Sequence, residues 1–209
     1  MVEEQLSADI KALVVGDSAE AVSIISRDHE INQMELAIDD ECATILARRQ
    51  PAASDLRLVV TVIKVNTDIE RIGDEAAKIA RQSVRLAEDG MSPTNYIEIR
   101  HIGDLVGNML RKALDAFARL DVQQAVEVIK QDTSVDKEYG SALRSLVTFM
   151  MEDPRDIGAI LNEMWALRSL ERIGDHASNV AEHVVYLVRG LDVRHQSFEA
   201  VVDQVSDAD

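Results

Sequence analysis

The pentapeptide Glu-Arg-Ile-Gly-Asp occurs twice, at Glu70–Asp74 and at Glu171–Asp175, 101 positions apart in a chain of 209 residues. Five specified residues do not recur by accident over such a length, so the chain reads as an internal duplication. It must then fold as two copies of one unit. Breakers are sparse, with three prolines and nine glycines. Chain breaks are read at Gly16-Asp17-Ser18, Gln50-Pro51, Asp89 to Pro93, Leu120-Asp121, Asp153-Pro154 and Gly190. These positions divide the chain into segments 1–16, 18–50, 52–89, 93–120, 122–152 and 155–190, followed by a polar tail.

Within the segments, apolar residues recur every three or four positions. The first has Leu6, Ile10 and Leu13, and the second Ile31, Met34, Ile38, Cys42 and Ile45. The fourth has Ile102, Val106, Met109, Ala113, Phe117 and Leu120, and the fifth Val135, Tyr139, Leu143, Leu146 and Met150. This is helical spacing, and the stripes read as core. Only 3% of residues are aromatic, which argues further against sheets. The expected fold is all-α and elongated: six long helices forming two antiparallel three-helix bundles in tandem. The first bundle spans 1–90 and the second 91–190, and the tail 191–209 is a frayed or short helical end. Helices of about 33 residues run to about 50 Å. The first segment is shorter than 93–120 and its periodicity is already running at Met1, so further N-terminal turns are expected ahead of it.

Lys and Arg number 22 against 38 Asp and Glu, a net charge of −16. Such a surface repels nucleic-acid phosphates and suits cations or a basic protein partner. The single cysteine, Cys42, cannot form an internal disulfide and fits a reducing, cytoplasmic setting. The longest apolar runs, 58–63 and 184–188, are too short to span a bilayer, and the acidic start lacks the order of a signal peptide.

Within each repeat the Glu and Asp are four apart, one turn along a single helix face, where like charges cost about 0.2–0.5 kcal/mol. A mid-helix glycine adds about 1 kcal/mol relative to alanine. Geometry offers a reason for tolerating both. In an antiparallel hairpin, residues equally far from the turn lie level. About Pro51, Asp28 is level with Asp74 and Asn32 with Glu70. About the Asp153-Pro154 break, Asp132 is level with Asp175 and Asp136 with Glu171. Two four-residue oxygen sites result, and oxygen donors without histidine or cysteine suit hard or borderline cations. Glu182 and Asn179 enrich the second site, where the first has Arg81 and Lys78. If one site fills, it is the second.

A plainer reading stands beside it: Arg71, Arg172 and Lys78 bind the acids in a network between helices, and the glycines admit a neighbouring helix. His176 and His29 adjoin the acids in sequence but point about 100° around the helix from them. Trp165 reads as core or interface. A rival function is a carboxylate-bridged di-metal enzyme or iron store, which needs two inward Glu-x-x-His motifs. This chain has one, Glu98 to His101.

The stretches "DIERIGDEAAKI" (68–79), "SLERIGDHASNVAE" (169–182), "NQMELAIDDECATILARRQPAASDLRLV" (32–59) and "LDAFARLDVQQAVEVIKQDTSVDKEY" (114–139) resemble the PhoU family of phosphate-uptake regulators. The resemblance covers essentially the whole chain and implies tandem three-helix bundles. It further implies that the Glu70/Asp74 and Glu171/Asp175 motifs hold iron, zinc, manganese or magnesium. It implies a non-enzymatic, cytoplasmic, often dimeric protein that represses phosphate-starvation genes when phosphate is plentiful. Its implied partners are the phosphate-transporter ATPase, PstB, and a sensor histidine kinase, PhoR. Lys78 and Arg81 depart from the fuller form of the motif in the first copy.

Overall fold

The computed structural model describes residues 1–15, 18–88, 97–194, 196 and 198–206; for 18–20, 22–28, 87–88 and 206 the description extends to the backbone alone. Seven α-helices and no strand occur among these residues. They are α1 (Val2–Val15), α2 (Ser18–Arg49), α3 (Ser54–Glu88), α4 (Ile97–Arg119), α5 (Val122–Glu152), α6 (Ile157–Arg189) and α7 (Phe198–Ser206). Six match the sequence segments. The breaks at Gly16-Asp17 and Asp89 to Pro93 lie outside the described residues.

The helix ends follow from local chemistry. Gln50 and Ala53 take left-handed backbone angles on either side of Pro51, reversing the chain between α2 and α3. Asp121 caps α5 by accepting a hydrogen bond from the Gln124 N–H at 3.0 Å, which satisfies one of the orphan donors of the first turn. Asp153 accepts from the Arg155 N–H and starts a single 3-10 turn at Pro154–Asp156. Gly190, at φ 75°, closes α6 with its N–H on the Tyr186 carbonyl.

α1 lies against α2 and α3, and α4 against α5 and α6, so each half is a three-helix bundle. The halves do not sit apart. α3 and α6 pack antiparallel along their lengths, α1 meets α4, and one continuous core runs from Leu6 and Ile72 through Met109 to Leu167, Ile173 and Val201. The tail belongs to this core: Val193 and Val201 are buried and α7 packs on α5. α1 reaches α4 so closely at Gly103 that an added Cβ would stand 2.9 Å from Ile10 Cδ1.

Most of the expected stripes are core, but three readings need correction. Met34 and Ile38 are exposed although they continue the stripe of Ile31 and Cys42. Leu120 is exposed at the end of α4, in left-handed backbone. Trp165 is 62% exposed and so is not core.

Candidate metal site between α5 and α6

The second hairpin places its acids as the spacing predicts. Asp132 and Asp136 come from one face of α5, and Glu171 and Asp175 from the facing side of α6. Among the described residues, one group of three acids or histidines converges tightly enough to share an ion: Asp136, Glu171 and Asp175, with one oxygen from each within 4.8 Å of the others. Asp132 stands at the back of this cluster. Burial, then the charges of Asp175, Asp136, Glu182 and Glu171, push its carboxyl up to about 7. Glu171 is raised first by burial and then by Asp175, with Arg168 opposing. Asp175 is raised by burial and Asp136, with Arg168, His176 and Arg172 opposing.

One oxygen of Glu171 accepts from Arg168 Nη1 at 2.7 Å, while the other, Oε2, is buried without a hydrogen-bond partner. A buried carboxylate oxygen lacking a donor costs free energy that a cation would relieve. Gly174 lies beneath the pocket, where a Cβ would stand 3.4 Å from Val135 and 4.0 Å from Asp132 Oδ1. Those are ordinary contacts, so helix packing does not by itself demand this glycine.

The first quartet is placed in part. Glu70 and Asp74 lie half-buried one turn apart on α3, and Asn32 Oδ1 on α2 is buried without a partner. The side chain of Asp28 lies outside the described residues. The hairpin register behind this quartet is visible higher up, where Asn66 donates to the Glu35 carbonyl at 2.9 Å and to Asp39 Oδ1 at 3.0 Å. The Glu98 to His101 motif lies away from the carboxylate cluster: Glu98 faces Glu163 of α6, and His101 Nε2 stands 3.8 Å from Glu138 of α5.

Arg172 and His176 reach across to acids of α3. One residue beyond each pocket acid, α6 has turned about 100° and presents Arg172 and His176 to α3. Arg172 Nη1 meets Glu75 Oε1 at 2.8 Å, and Ser169 donates to Glu75 Oε2 at 2.9 Å. His176 Nδ1 lies 2.9 Å from Asp68 Oδ1, Asn179 donates to the same oxygen at 3.2 Å, and His183 Nε2 lies 3.3 Å from Asp68 Oδ2. Burial alone would raise the Asp68 carboxyl, but the hydrogen bonds from His176, His183 and Asn179 prevail and hold it down at about 2. Lys78, expected to serve Asp74, pairs with Glu75 at 2.9 Å.

Asp68, Glu75 and His183 were absent from the sequence-based site. The available signal was divergence within the repeat: Asp68 corresponds to Ser169, and Glu75 to His176. The bonds cross between copies, Asp68 to His176 and Ser169 to Glu75, as an approximate twofold between the halves requires. One half supplies the acids and the other the donors.

A family model described as PhoU domain matches residues 1–83 and 99–184. A protein of Pseudomonas putida called a phosphate-specific transport system accessory protein PhoU homolog is 56% identical over 205 residues, 98% of this chain and 80% of that protein. The Escherichia coli phosphate-specific transport system accessory protein PhoU is 44% identical over 195 residues, 93% of this chain and 80% of that protein. The crystal structure of PhoU from Pseudomonas aeruginosa superimposes with a TM-score of 0.89 at 57% identity, covering 91% of each chain. The phosphate transport system regulatory protein PhoU from Streptococcus pneumoniae gives 0.83 at 32% identity, covering 91% of this chain and 89% of that one.

Proposed function

This chain belongs to the PhoU family, and from that premise we propose that it is a non-enzymatic, cytoplasmic regulator of phosphate uptake that represses the phosphate-starvation response. The observation that carries the reading is agreement over the whole chain, in sequence and in fold, with proteins named for accessory and regulatory roles in phosphate transport. In this reading the protein is a homodimeric adaptor between the transporter ATPase, PstB, and the sensor kinase, PhoR. Long helices fused through α3 and α6 support that role, since they give a stiff body with faces at fixed angles. No described helix is long and apolar enough to cross a membrane.

The α5–α6 pocket is the regulatory element of this reading. Asp136, Glu171 and Asp175, with Asp132 behind them, would hold a hard cation such as magnesium, manganese or ferric iron. The all-oxygen set suits those ions better than zinc, which favours nitrogen and sulfur donors. Bound there, the ion supplies the positive charge that lets the carboxylates ionise together. The side chains themselves tie α5 to α6 on the face adjoining the α3 contact.

The test is binding of the purified chain to the cytoplasmic part of the kinase and to the ATPase, with and without chelator, for wild type, Asp74→Ala and Asp175→Ala. Failure to bind either partner rejects the adaptor reading. Binding of equal strength for all proteins and conditions removes the metal from the mechanism and leaves the adaptor standing.

A further inference from the structure

In a chain of net charge −16, α3 carries a row of cations: Arg57, Lys64, Arg71, Lys78 and Arg85, one every seven residues. Arg71, Lys78 and Arg85 each directly precede a buried residue, Ile72, Ile79 and Leu86, so the row lies about 100° around α3 from its core side. The first two cations are taken up within the chain, Arg57 and Lys64 standing 5.9 and 5.6 Å from the Tyr186 ring. Lys78 shares Glu75 with Arg172. Arg71 and Arg85 are exposed and pair with no carboxylate among the described residues. α6 adds an apolar strip beside this row. The antiparallel register that sets Arg172 on Glu75 brings Trp165 level with Gln82 and Leu161 level with the Arg85 turn. Trp165 is 62% and Leu161 44% exposed. The approximate twofold carries Lys64 and Tyr186 onto Trp165 and Arg85, so a ring and a cation recur across the same helix pair, here facing solvent. α1 lies on the core side of α3, its Ala12 packed with Ala80. Turns ahead of Met1 would continue toward the Glu70 end, away from Lys78 and Arg85.

We propose that the face formed by Arg71, Lys78 and Arg85 of α3 with Leu161 and Trp165 of α6 docks an acidic amphipathic helix of another protein. Three features select that occupant. Charges seven residues apart, about 10.5 Å along the axis, match the repeat of a second helix, whose Glu or Asp at i, i+7 and i+14 meet them one for one. A straight helix drifts about 20° per heptad, a slant that a helix packed alongside follows in a shallow left-handed crossing. Leu161 and Trp165 call for apolar partners, which an amphipathic helix carries beside its acids and a nucleic acid does not. The row is also one residue wide, with Asp74 beside it on α3 and Asp175 on α6, so a broad polyanion meets carboxylates on both sides. Arginine and tryptophan are the residue types that dominate binding energy at such contacts. A second copy of this chain meeting the same face would set like cations together, so charge favours an acidic partner over that self-association. The docking needs neither an ion in the α5–α6 pocket nor the adaptor role.

The experiment uses the full chain in chelator, so that no shared ion draws carboxylates to the α5–α6 pocket. The probe is a fluorescent synthetic helix of about 22 residues, three heptads, with Glu at i, i+7 and i+14 and Leu on the adjoining face. Its twin has the same composition with the Glu residues scattered off the heptad. The heptad helix is expected to bind and the twin to bind at least tenfold more weakly. Arg85→Glu and Trp165→Ala, checked for helicity, are each expected to weaken the heptad helix tenfold or more. Trp165→Ala leaves the charge unchanged, so general electrostatic attraction does not account for its effect. No binding of the heptad helix, or unweakened binding in either variant, overturns the proposal. So does a dimer in sedimentation that Trp165→Ala turns into a monomer, or an oligonucleotide that binds as tightly as the heptad helix and is weakened by the same two changes.

Discussion

Replacing Asp132 by asparagine removes the most strongly raised carboxyl of the α5–α6 pocket while keeping its shape. The folded protein pushes this group up to about 7, from the ordinary aspartate value of 3.8. At about 1.4 kcal/mol per unit this is about 4 kcal/mol, and solvent screening at a half-buried site reduces it to about 2 kcal/mol. The sign follows from the direction of the shift. Because the folded state holds the Asp132 proton more tightly than the unfolded state, the penalty is absent below about pH 4. It grows as pH rises and is complete above about 7. Urea denaturation in the presence of chelator should therefore show wild type losing stability between about pH 4 and about pH 7, with Asp132→Asn losing about 2 kcal/mol less. In a domain of this size that corresponds to a melting temperature higher by about 4–8 °C for the variant at pH 8. Glu163, raised to about 7 by burial and by Glu98, contributes equally to both proteins and cancels in the difference. Manganese or magnesium should then raise wild type more than the variant. A variant less stable than wild type at pH 8 in chelator, with an unchanged pH dependence, would refute the electrostatic reasoning.

Glu171→Gln should weaken cation binding, read by calorimetry, at least tenfold, because Glu171 supplies both a converging oxygen and the unpartnered Oε2; equal affinity would place the ion elsewhere. Asp68→Ala strands His176, Asn179 and His183 at the α3–α6 contact and should cost about 2–4 kcal/mol in urea denaturation. The stabilisation from the depressed Asp68 carboxyl is present above about pH 4 and is lost as pH falls through about 2, so an acid titration of Asp68→Ala should be flatter than that of wild type there. Gly190→Ala forces a side chain into left-handed backbone at φ 75° and sets its Cβ 2.7 Å from Arg57 Nη1, which should cost about 1–2 kcal/mol by thermal melting.

Much of the fold was legible in the sequence because it is written in local terms. The capping of α5 by Asp121, the αL glycine at Gly190 and the reversal at Pro51 each follow from one or two residues and their backbone preferences. The α5–α6 pocket was legible for a related reason. Once a hairpin turn is located, an antiparallel pair of helices fixes which residues are level, and the i, i+4 acids on each rod then meet. The same reasoning left Arg71, Arg172 and Lys78 ambiguous, because a guanidinium or ammonium on a flexible stem takes whichever carboxylate the packing brings within reach.

The sequence by itself determined the helices, their ends, the duplication and the pairing of carboxylates within the second hairpin, all set by distances along the chain. Tertiary structure alone decided that the two bundles fuse through α3 and α6, that Asp68 and Glu75 are buried there by donors from the other half, and that Met34, Ile38 and Trp165 remain exposed. Those outcomes depend on which helix lies beside which. Periodicity marks a face as apolar, but only a neighbouring helix can remove it from water.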